Sequence, residues 1–334
     1  MAAMNAVLPI VLLIFIGYIL KRINFISDGF LSGANKLVFR FAIPVMLFMN
    51  VYNVQNLNNV NWNIVWYAVA GVLSLFGLGL LSVFLFTKDP LKKGVVLQCI
   101  VRPNFAIIGI PLVALLTGNS PEALMVTSVL TLFIIPLTNI LAVVSLSIYP
   151  KGIDNEGNVI QQKINWGYTF QKIATNPLII GILTGFIVVL IRPIFQGFTI
   201  RNDVPFIFTT LQWIQNIASP LALIALGAAF KFGAFRRLLP QIIHGTLWRV
   251  IIAPTMLIGI AIIFRNQLGF DEYVFPAFIA LFAAPVAVTS VVMAEEMGND
   301  GELAGQLVVW NSIVSIFTVF IIVMILMSMG LVAA

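Results

Sequence analysis

The chain has 334 residues, of which 60% are hydrophobic and 9% are charged, and its mean hydropathy is +1.06. Because soluble domains carry about 25% charged residues, this composition excludes an ordinary soluble protein and predicts one that lies mostly in a lipid bilayer. The net charge of +6 does not imply a nucleic-acid partner, since basic residues of membrane proteins usually mark cytoplasmic loops. A single cysteine, Cys99, excludes an intramolecular disulfide.

Ten stretches are apolar enough to cross a bilayer, which takes about 20 residues per helix. They cover residues 6–20, 36–52, 63–86, 94–117, 122–149, 177–195, 205–229, 239–264, 274–294 and 303–329. The first is not typical of a signal peptide, because no charge precedes it and two basic residues follow it. We therefore predict an all-α integral membrane protein with ten transmembrane helices. A first five-helix repeat covers residues 1–149, a cytoplasmic connecting loop covers 150–176, and a second repeat covers 177–334.

Basic residues are distributed unevenly between the two sets of loops. Thirteen lie on one side: Lys21, Arg22, Lys36, Arg40, Lys88, Lys92, Lys93, Lys151, Lys163, Lys172, Lys231, Arg236 and Arg237. Three lie on the other side: Arg192, Arg201 and Arg265. Since basic residues accumulate in cytoplasmic loops, this distribution predicts that both termini lie outside the cytoplasm.

Prolines recur at nearly constant separations between the two halves of the chain. The pairs are 168, 176 and 174 residues apart: Pro9 with Pro177, Pro44 with Pro220, and Pro111 with Pro285. Because each half holds an odd number of spans, the second half must be inserted upside down relative to the first. The pattern therefore predicts two inverted repeats, an architecture common among secondary transporters. Chance placement of prolines is the alternative interpretation.

Residues 102–112, RPNFAIIGIPL, place a charge and several helix-breaking residues inside the fourth span. A proline removes a helical hydrogen bond, and the freed carbonyl costs several kcal/mol in hydrocarbon unless protein or water satisfies it. We predict that the fourth helix breaks at Gly109 and Pro111 and that the ninth breaks at Pro285. The half-helix after each break then presents a positive end that favours anions. A simple proline kink is the alternative.

Two arginines lie far from the predicted membrane surface. Arg102 lies roughly 14 Å beyond Lys93, and Arg249 lies roughly 18 Å beyond Arg237, at about 1.5 Å per residue. No acidic residue lies deep within a predicted span, so an anionic substrate is a candidate partner, and carboxylate matches the guanidinium geometry. The alternative is that these arginines neutralise the carbonyl ends of broken helices.

Five further polar residues are candidates for substrate binding, with hydrogen bonding between helices as the alternative role. They are Asn104, Asn139, Thr289, Ser290 and Asn311. The sequence holds no phosphate-binding loop, no metal-ligand cluster and no nucleophile–base pair, so no enzyme, cofactor or metal is predicted. The lack of a deep carboxylate argues against antiport through acidic residues, whereas sodium bound by main-chain carbonyls stays open. A membrane enzyme and an anion channel are the alternatives from other classes.

Three motifs resemble the auxin efflux carrier family, which includes plant auxin carriers and bacterial permeases for malate, malonate and related acids. They are PNxxxxGIPL at residues 103–112, LWRVIIAP at 247–254 and the stretch 283–318. The resemblance covers essentially the whole chain. It implies that helices 4 and 9 cross at their breaks, with Asn104, Pro111 and Pro285 at the crossover and Arg249 near it. It also implies a homodimeric scaffold of helices 1, 2, 6 and 7, and a transport domain of helices 3–5 and 8–10 that moves as an elevator.

The residues and the resemblance together predict a secondary transporter for a small organic anion, a mono- or dicarboxylate such as malate or malonate. The short central loop and the arginine beside Pro103 fit a permease of the bacterial inner membrane better than a plant hormone carrier. An aromatic carboxylate efflux carrier is the main alternative. Coupling to a proton or a sodium ion stays open, and membrane lipid and a second copy of the chain are the other expected partners.

Overall fold

The computed structural model describes residues 2–53, 61–118, 120–149, 151–153, 159–161, 167, 171, 174–191, 199–230 and 233–332. Four basic residues of the predicted charge distribution, Lys163, Lys172, Arg192 and Lys231, lie outside these residues. Most of the predicted connecting loop also lies outside them, although it contains two described strands, β1 (Lys151–Ile153) and β2 (Val159–Gln161), which pair antiparallel.

The described chain is otherwise built from helices, as the composition predicts. In chain order they are α1 (Ala2–Arg22), α2 (Asp28–Tyr52), α3 (Trp62–Phe86), α4 (Pro90–Val101), α5 (Phe105–Leu116), α6 (Pro121–Ser147), α7 (Pro177–Ile191), α8 (Pro205–Ala229), α9 (Ala234–Ile263), α10 (Val274–Ala283), α11 (Ser290–Glu296) and α12 (Gly301–Ser328). Two four-residue helical segments precede α8 and follow α9: Ile200–Asp203 and Arg265–Leu268.

Among the described residues, six helices are long and apolar enough to cross a membrane, namely α2, α3, α6, α8, α9 and α12. They coincide with six of the ten predicted spans. Shorter apolar helices occupy Phe105–Leu116, Pro177–Val188 and Val274–Ala283. The fourth predicted span is divided into α4 and α5, and the ninth is divided into α10 and α11.

Several helices begin after a side chain that caps their first turn. Asn61, Asp89, Ser120 and Asp300 each accept a hydrogen bond from a main-chain N–H at the start of α3, α4, α6 and α12. A proline directly follows two of these caps, at a position where its missing N–H is not needed. Local hydrogen bonds therefore determine where these helices start.

Each of the four π-helical segments in the described chain ends two residues before a proline. The segments are Val38–Ala42, Phe105–Gly109, Trp248–Ile252 and Ile279–Ala283. Proline lacks an N–H, and its ring displaces the carbonyl four residues earlier, so a wider π turn can accommodate it. In α5 the helix continues through Gly109 and Pro111. The prediction that the fourth helix breaks at these two residues is therefore wrong, because the π turn absorbs the proline.

Two helix pairs approach each other closely at glycines. In the pair α1–α8, a Cβ on Gly17 would lie 2.1 Å from the main-chain oxygen of Ile224. In the pair α2–α7, a Cβ on Gly185 would lie 3.1 Å from the main-chain oxygen of Phe48. A larger side chain at Gly17 would force the two backbones apart, so glycine is required for this packing.

The centre of the molecule is formed by the divided spans. Every residue of α10 is buried, as is every residue of α4 from Lys93 to Val101. Large exposed apolar side chains lie instead on helices such as α1, α3, α7 and α8, for example Phe15, Phe84 and Trp213. This distribution suits a protein surrounded by lipid, and it places the ends of α4 and α10 away from the surface.

Candidate functional site

The breaks in the two divided spans have the same local pattern. Helix α4 ends at Val101 and α10 ends at Ala283, and each end is followed two residues later by a proline, Pro103 or Pro285. A proline in an extended segment removes no helical hydrogen bond, which favours it at a break. Pro285 therefore lies at the predicted break of the ninth span, but its counterpart in the fourth span is Pro103 rather than Pro111.

The two breaks cross and pair with each other. Pro103 and Val286 form an antiparallel β-bridge. The N–H of Asn104 donates to the oxygen of Pro285 at 2.7 Å, and the N–H of Ala287 donates to the oxygen of Arg102 at 3.1 Å. Each break thus satisfies main-chain groups that the other would leave unpaired in an apolar environment.

The guanidinium of Arg102 is held beside this crossing by neutral side chains. Its Nη1 donates to the Oγ of Ser290 at 2.9 Å. Its Nη2 donates to the Oδ1 of Asn139 and to the Oγ1 of Thr289, both at 2.8 Å. Arg102 is only 3% exposed, and within the described part of the chain it forms no ion pair. A buried positive charge is therefore compensated only by neutral oxygen atoms.

Two hydrogen-bond donors at the crossing have no acceptor among the described residues. They are the Nε of Arg102 and the Nδ2 of Asn104, both fully buried atoms. A buried unpaired donor costs about 1–3 kcal/mol, and more when it is charged. Because Asn104 is only two residues from Arg102 and also 3% exposed, the crossing contains a place where an anionic acceptor would be favourable.

Arg249 occupies a different environment although it is equally buried. All of its guanidinium nitrogens donate to main-chain oxygens. The acceptors are Ile100 at 3.0 Å, Leu281 at 2.9 Å, Phe282 at 2.7 Å and Ala284 at 3.1 Å. These carbonyls end α4 and α10, where helical acceptors are free. The geometry thus favours the alternative interpretation of Arg249, in which it neutralises the negative ends of both helices.

The remaining candidates are divided between the site and its surroundings. Asn139, Thr289 and Ser290 contact Arg102 directly. Asn311 does not join them: its Nδ2 donates to the Oγ1 of Thr246 at 3.1 Å. Gly109 lets α5 contact α10, because a Cβ there would lie 3.0 Å from the oxygen of Ala280.

Sequence reasoning missed Gln98, one helical turn before Arg102 on α4. Gln98 is 1% exposed, and its Nε2 lies 3.7 Å from the sulfur of Met293 on α11. Its Oε1 has no donor among the described residues. The spacing of four residues from Arg102 was the signal that could have identified it, since such residues share a helix face.

A cavity of about 470 Å³ lies close to the site. Residues of α1, α2 and α8 line it on one side, and residues of α11 and α12 line it on the other. It contains Lys21, from the predicted cytoplasmic set, and reaches Val291, which directly follows Ser290. The cavity therefore reaches from the end of α1 to the first turn of α11.

Comparisons with known proteins identify the family to which the chain belongs. The sequence profile of the family described as "Membrane transport protein" matches residues 2–323. The mouse (Mus musculus) protein named "Lysosomal cholesterol signaling protein" is 27% identical over 228 residues, which cover 66% of this chain and 25% of the mouse protein. The aligned part of the chain thus corresponds to about a quarter of that relative. Because the profile covers nearly the whole chain, the protein belongs to the auxin efflux carrier family of membrane transport proteins.

Proposed function

We propose that this membrane transporter carries a small carboxylate anion, which binds where the two breaks cross. The observation that carries this proposal is the buried Arg102, whose Nε, together with the Nδ2 of Asn104, has no acceptor among the described residues. A carboxylate offers two oxygens that can accept several hydrogen bonds. It would supply both acceptors and the missing negative charge.

The other residues of the cluster have supporting roles in this proposal. Asn139, Thr289 and Ser290 orient the guanidinium of Arg102 by accepting its Nη hydrogen bonds, which leaves Nε for the substrate. Arg249 stabilises the two helix ends and does not contact the substrate. Arg102 and Asn104 are thus the proposed substrate contacts.

The predicted ten-helix inverted repeat is part of the proposal, and helix packing supports it. Gly17 and Gly185 are 168 residues apart, and their contact residues Ile224 and Phe48 are 176 apart. These separations equal those of two proline pairs in the sequence. The contact between α1 and α8 therefore corresponds to the contact between α7 and α2, as expected for two related halves.

The distribution of the site residues supports an elevator mechanism. Arg102, Asn139 and Ser290 lie on or next to α4, α6 and α11, which all belong to the predicted transport domain. This domain could carry the site as a unit past a scaffold of α1, α2, α7 and α8. Residues of both groups of helices line the cavity. A water-filled space between the groups would let the substrate reach the site when the transport domain moves. The homodimer formed through the scaffold, the bacterial inner membrane and the external termini stay predictions.

The substrate charge determines which driving force applies. The inside-negative membrane potential favours efflux of an anion by about 2.3 kcal/mol per charge at 100 mV. Uptake would need a coupled cation.

The name of the mouse relative refers to cholesterol. A neutral sterol would leave the charge of Arg102 uncompensated, so the site geometry favours a carboxylate.

Ligand binding to the purified protein tests this assignment. We expect malate, malonate, lactate or phenylacetate to raise the unfolding temperature of the wild-type protein in a concentration-dependent way. Asn104→Leu should weaken this binding by about tenfold or more, as expected for a lost hydrogen bond to a charged group. It should not lower the unfolding temperature without ligand, because the Nδ2 of Asn104 has no partner to lose.

Arg265→Gln is the matched control, since Arg265 lies in a short helical segment after α9 and outside the predicted spans. It should bind the carboxylate like the wild type. Unchanged carboxylate binding by both Asn104→Leu and Arg102→Gln would contradict the proposed site.

A further inference from the structure

Glu295 lies close to the proposed substrate site but is not part of it. It is five residues after Ser290 on α11, or about 7.5 Å along the helix axis at 1.5 Å per residue. It lies one residue beyond the ninth predicted span, 274–294. The structure places its carboxylate at the cavity, partly buried between α11 and α2.

Its hydrogen bond crosses between the two proposed groups of helices. The Nδ2 of Asn35, on α2, donates to the Oε2 of Glu295 at 2.5 Å. Asn35 belongs to the proposed scaffold, whereas Glu295 belongs to the proposed transport domain. Within the described part of the chain no lysine or arginine forms an ion pair with Glu295, so its negative charge has only a neutral donor.

The charged groups around Glu295 are engaged elsewhere or are acidic. Glu296 is its neighbour on the same helix, and Glu302 of α12 pairs with Arg237. Across the cavity Lys21 pairs with Asp28 at 2.6 Å.

The basic residues of α4 also have partners: Lys92 pairs with Asp89, and Lys93 lies over the rings of Phe84 and Tyr149. On α2 Lys36 and Arg40 are exposed, and the only charged residue of α6, Glu122, lies in its first turn.

Asn35 offers a second group that suits a protonated carboxyl. Its Oδ1 is buried and has no donor among the described residues. An ionised Glu295 can only accept, and so uses Nδ2 alone, whereas a protonated Glu295 has a hydroxyl that can donate to Oδ1. Burial, and to a lesser extent repulsion by Glu296, raises the pKa of Glu295. The pair is therefore suited to both protonation states.

We propose that Glu295 is a proton-binding site and that a proton carried on its carboxylate is transported together with the substrate anion. The inference rests on the proposed function, because it adds the coupled ion to the same transport cycle. In the protonation step the carboxylate of Glu295 takes one proton from a hydronium ion in the cavity, which becomes water, and Glu295 becomes a neutral carboxylic acid. The transport domain thereby carries one negative charge fewer when the substrate anion is bound.

The protonation state of Glu295 affects how easily the transport domain can move. The scaffold residues that line the cavity with Glu295 include the apolar Leu226 and Ala228 of α8 and Phe230, which directly follows α8. An ionised carboxylate loses several kcal/mol of hydration when it leaves the water of the cavity and passes such a surface. The neutral acid loses much less. With a singly charged anion bound, Arg102 is already balanced, so the loaded domain moves readily only when Glu295 is protonated and neutral. In the empty domain the charge of ionised Glu295 is balanced by that of Arg102, so the domain can return without the proton.

Proton movement measured alongside substrate flux tests this inference. The protein is reconstituted into vesicles containing a pH-sensitive dye, with whichever of malate, malonate, lactate and phenylacetate gives saturable flux. In the wild type we expect proton movement that depends on the carboxylate and accumulation of the carboxylate driven by a pH gradient. Glu295→Gln, which mimics the neutral acid, should keep exchange of internal for external carboxylate but lose both effects.

Glu296→Gln is the matched control on the same helix and should keep the proton coupling. Glu295→Asp retains a titratable carboxyl group and should keep proton coupling, with a shifted pH dependence. If Glu295→Gln does not fold, Glu295→Asp therefore still tests the inference. Coupled proton movement in a folded Glu295→Gln protein would overturn the inference and leave carboxylate transport intact. Absence of saturable carboxylate flux in the wild type would overturn the proposed function itself, and the inference with it.

Discussion

At the scale of single residues, the two deep arginines show how the same side chain serves different purposes. Arg249 donates to main-chain oxygens at the ends of α4 and α10, whereas Arg102 donates to side-chain oxygens of Asn139, Thr289 and Ser290. A guanidinium can reach several acceptors at once because its donors form a rigid planar fork. Arg249 therefore stabilises two helix ends by hydrogen bonding, whereas Arg102 retains an Nε donor that has no acceptor among the described residues.

The contrast predicts that Arg249→Gln mainly affects stability. It would leave four carbonyls of two buried helix ends without their donor, at about 1–3 kcal/mol for each unsatisfied group. We expect a large decrease in the unfolding temperature of the detergent-solubilised protein, or failure to obtain folded protein. Asn104→Leu is the comparison, since it should unfold like the wild type. A normally folded Arg249→Gln protein that has lost only carboxylate binding would instead make Arg249 a substrate ligand.

Sequence alone located these arginines but could not separate their roles. Their depth followed from counting residues inward from the basic loops. Their partners depend on which helix ends meet at the crossing, and a partner can lie as far as 188 residues away in the chain, as Ser290 does from Arg102. The contact between Asn35 and Glu295, which are 260 residues apart, was missed for the same reason.

At the scale of helices, prolines have two different effects in this chain. Pro111 follows a π-helical segment within α5, and the helix continues. Pro103 lies in an extended segment whose main chain pairs with the other break. A pattern of prolines cannot distinguish these outcomes, because a break is stable in a membrane only where other groups satisfy the freed main chain. The long apolar spans were predictable, whereas the position of the fourth-span break was not.

The proposed division into scaffold and transport domain predicts the effect of a cross-link between them. A Cβ on Gly305 of α12 would lie 2.9 Å from the Cδ1 of Leu226 on α8. In a Cys99→Ser background, Leu226→Cys combined with Gly305→Cys should form a disulfide on oxidation. We expect the disulfide to stop carboxylate flux while binding persists, and reduction to restore flux, because the two groups could no longer move past each other.

A cross-link within the scaffold is the matched control. A Cβ on Gly185 of α7 would lie 3.0 Å from the Cβ of Val51 on α2, so Val51→Cys with Gly185→Cys joins two helices of the same group. Oxidation of this pair should leave flux unchanged. Full flux through the oxidised Leu226–Gly305 variant would argue against movement between α8 and α12.

At the scale of the whole molecule, the crossing of two broken spans places Arg102 and Asn104 at the buried centre, and a cavity reaches the adjoining helix α11. Composition and family motifs were enough to predict an integral membrane transporter. The atoms proposed to contact the substrate are buried donors that lack acceptors, and only the three-dimensional arrangement identifies them.

Flux measured in proteoliposomes tests the central claim most directly. Purified protein is reconstituted, and uptake of malate, malonate, lactate and phenylacetate is compared with that of a neutral sugar and an organic cation, with and without imposed voltage, proton and sodium gradients. We predict saturable flux of at least one carboxylate, inhibited by other carboxylates and reduced about tenfold or more in Asn104→Leu. Flux of neutral or cationic solutes with none for any carboxylate would contradict the account.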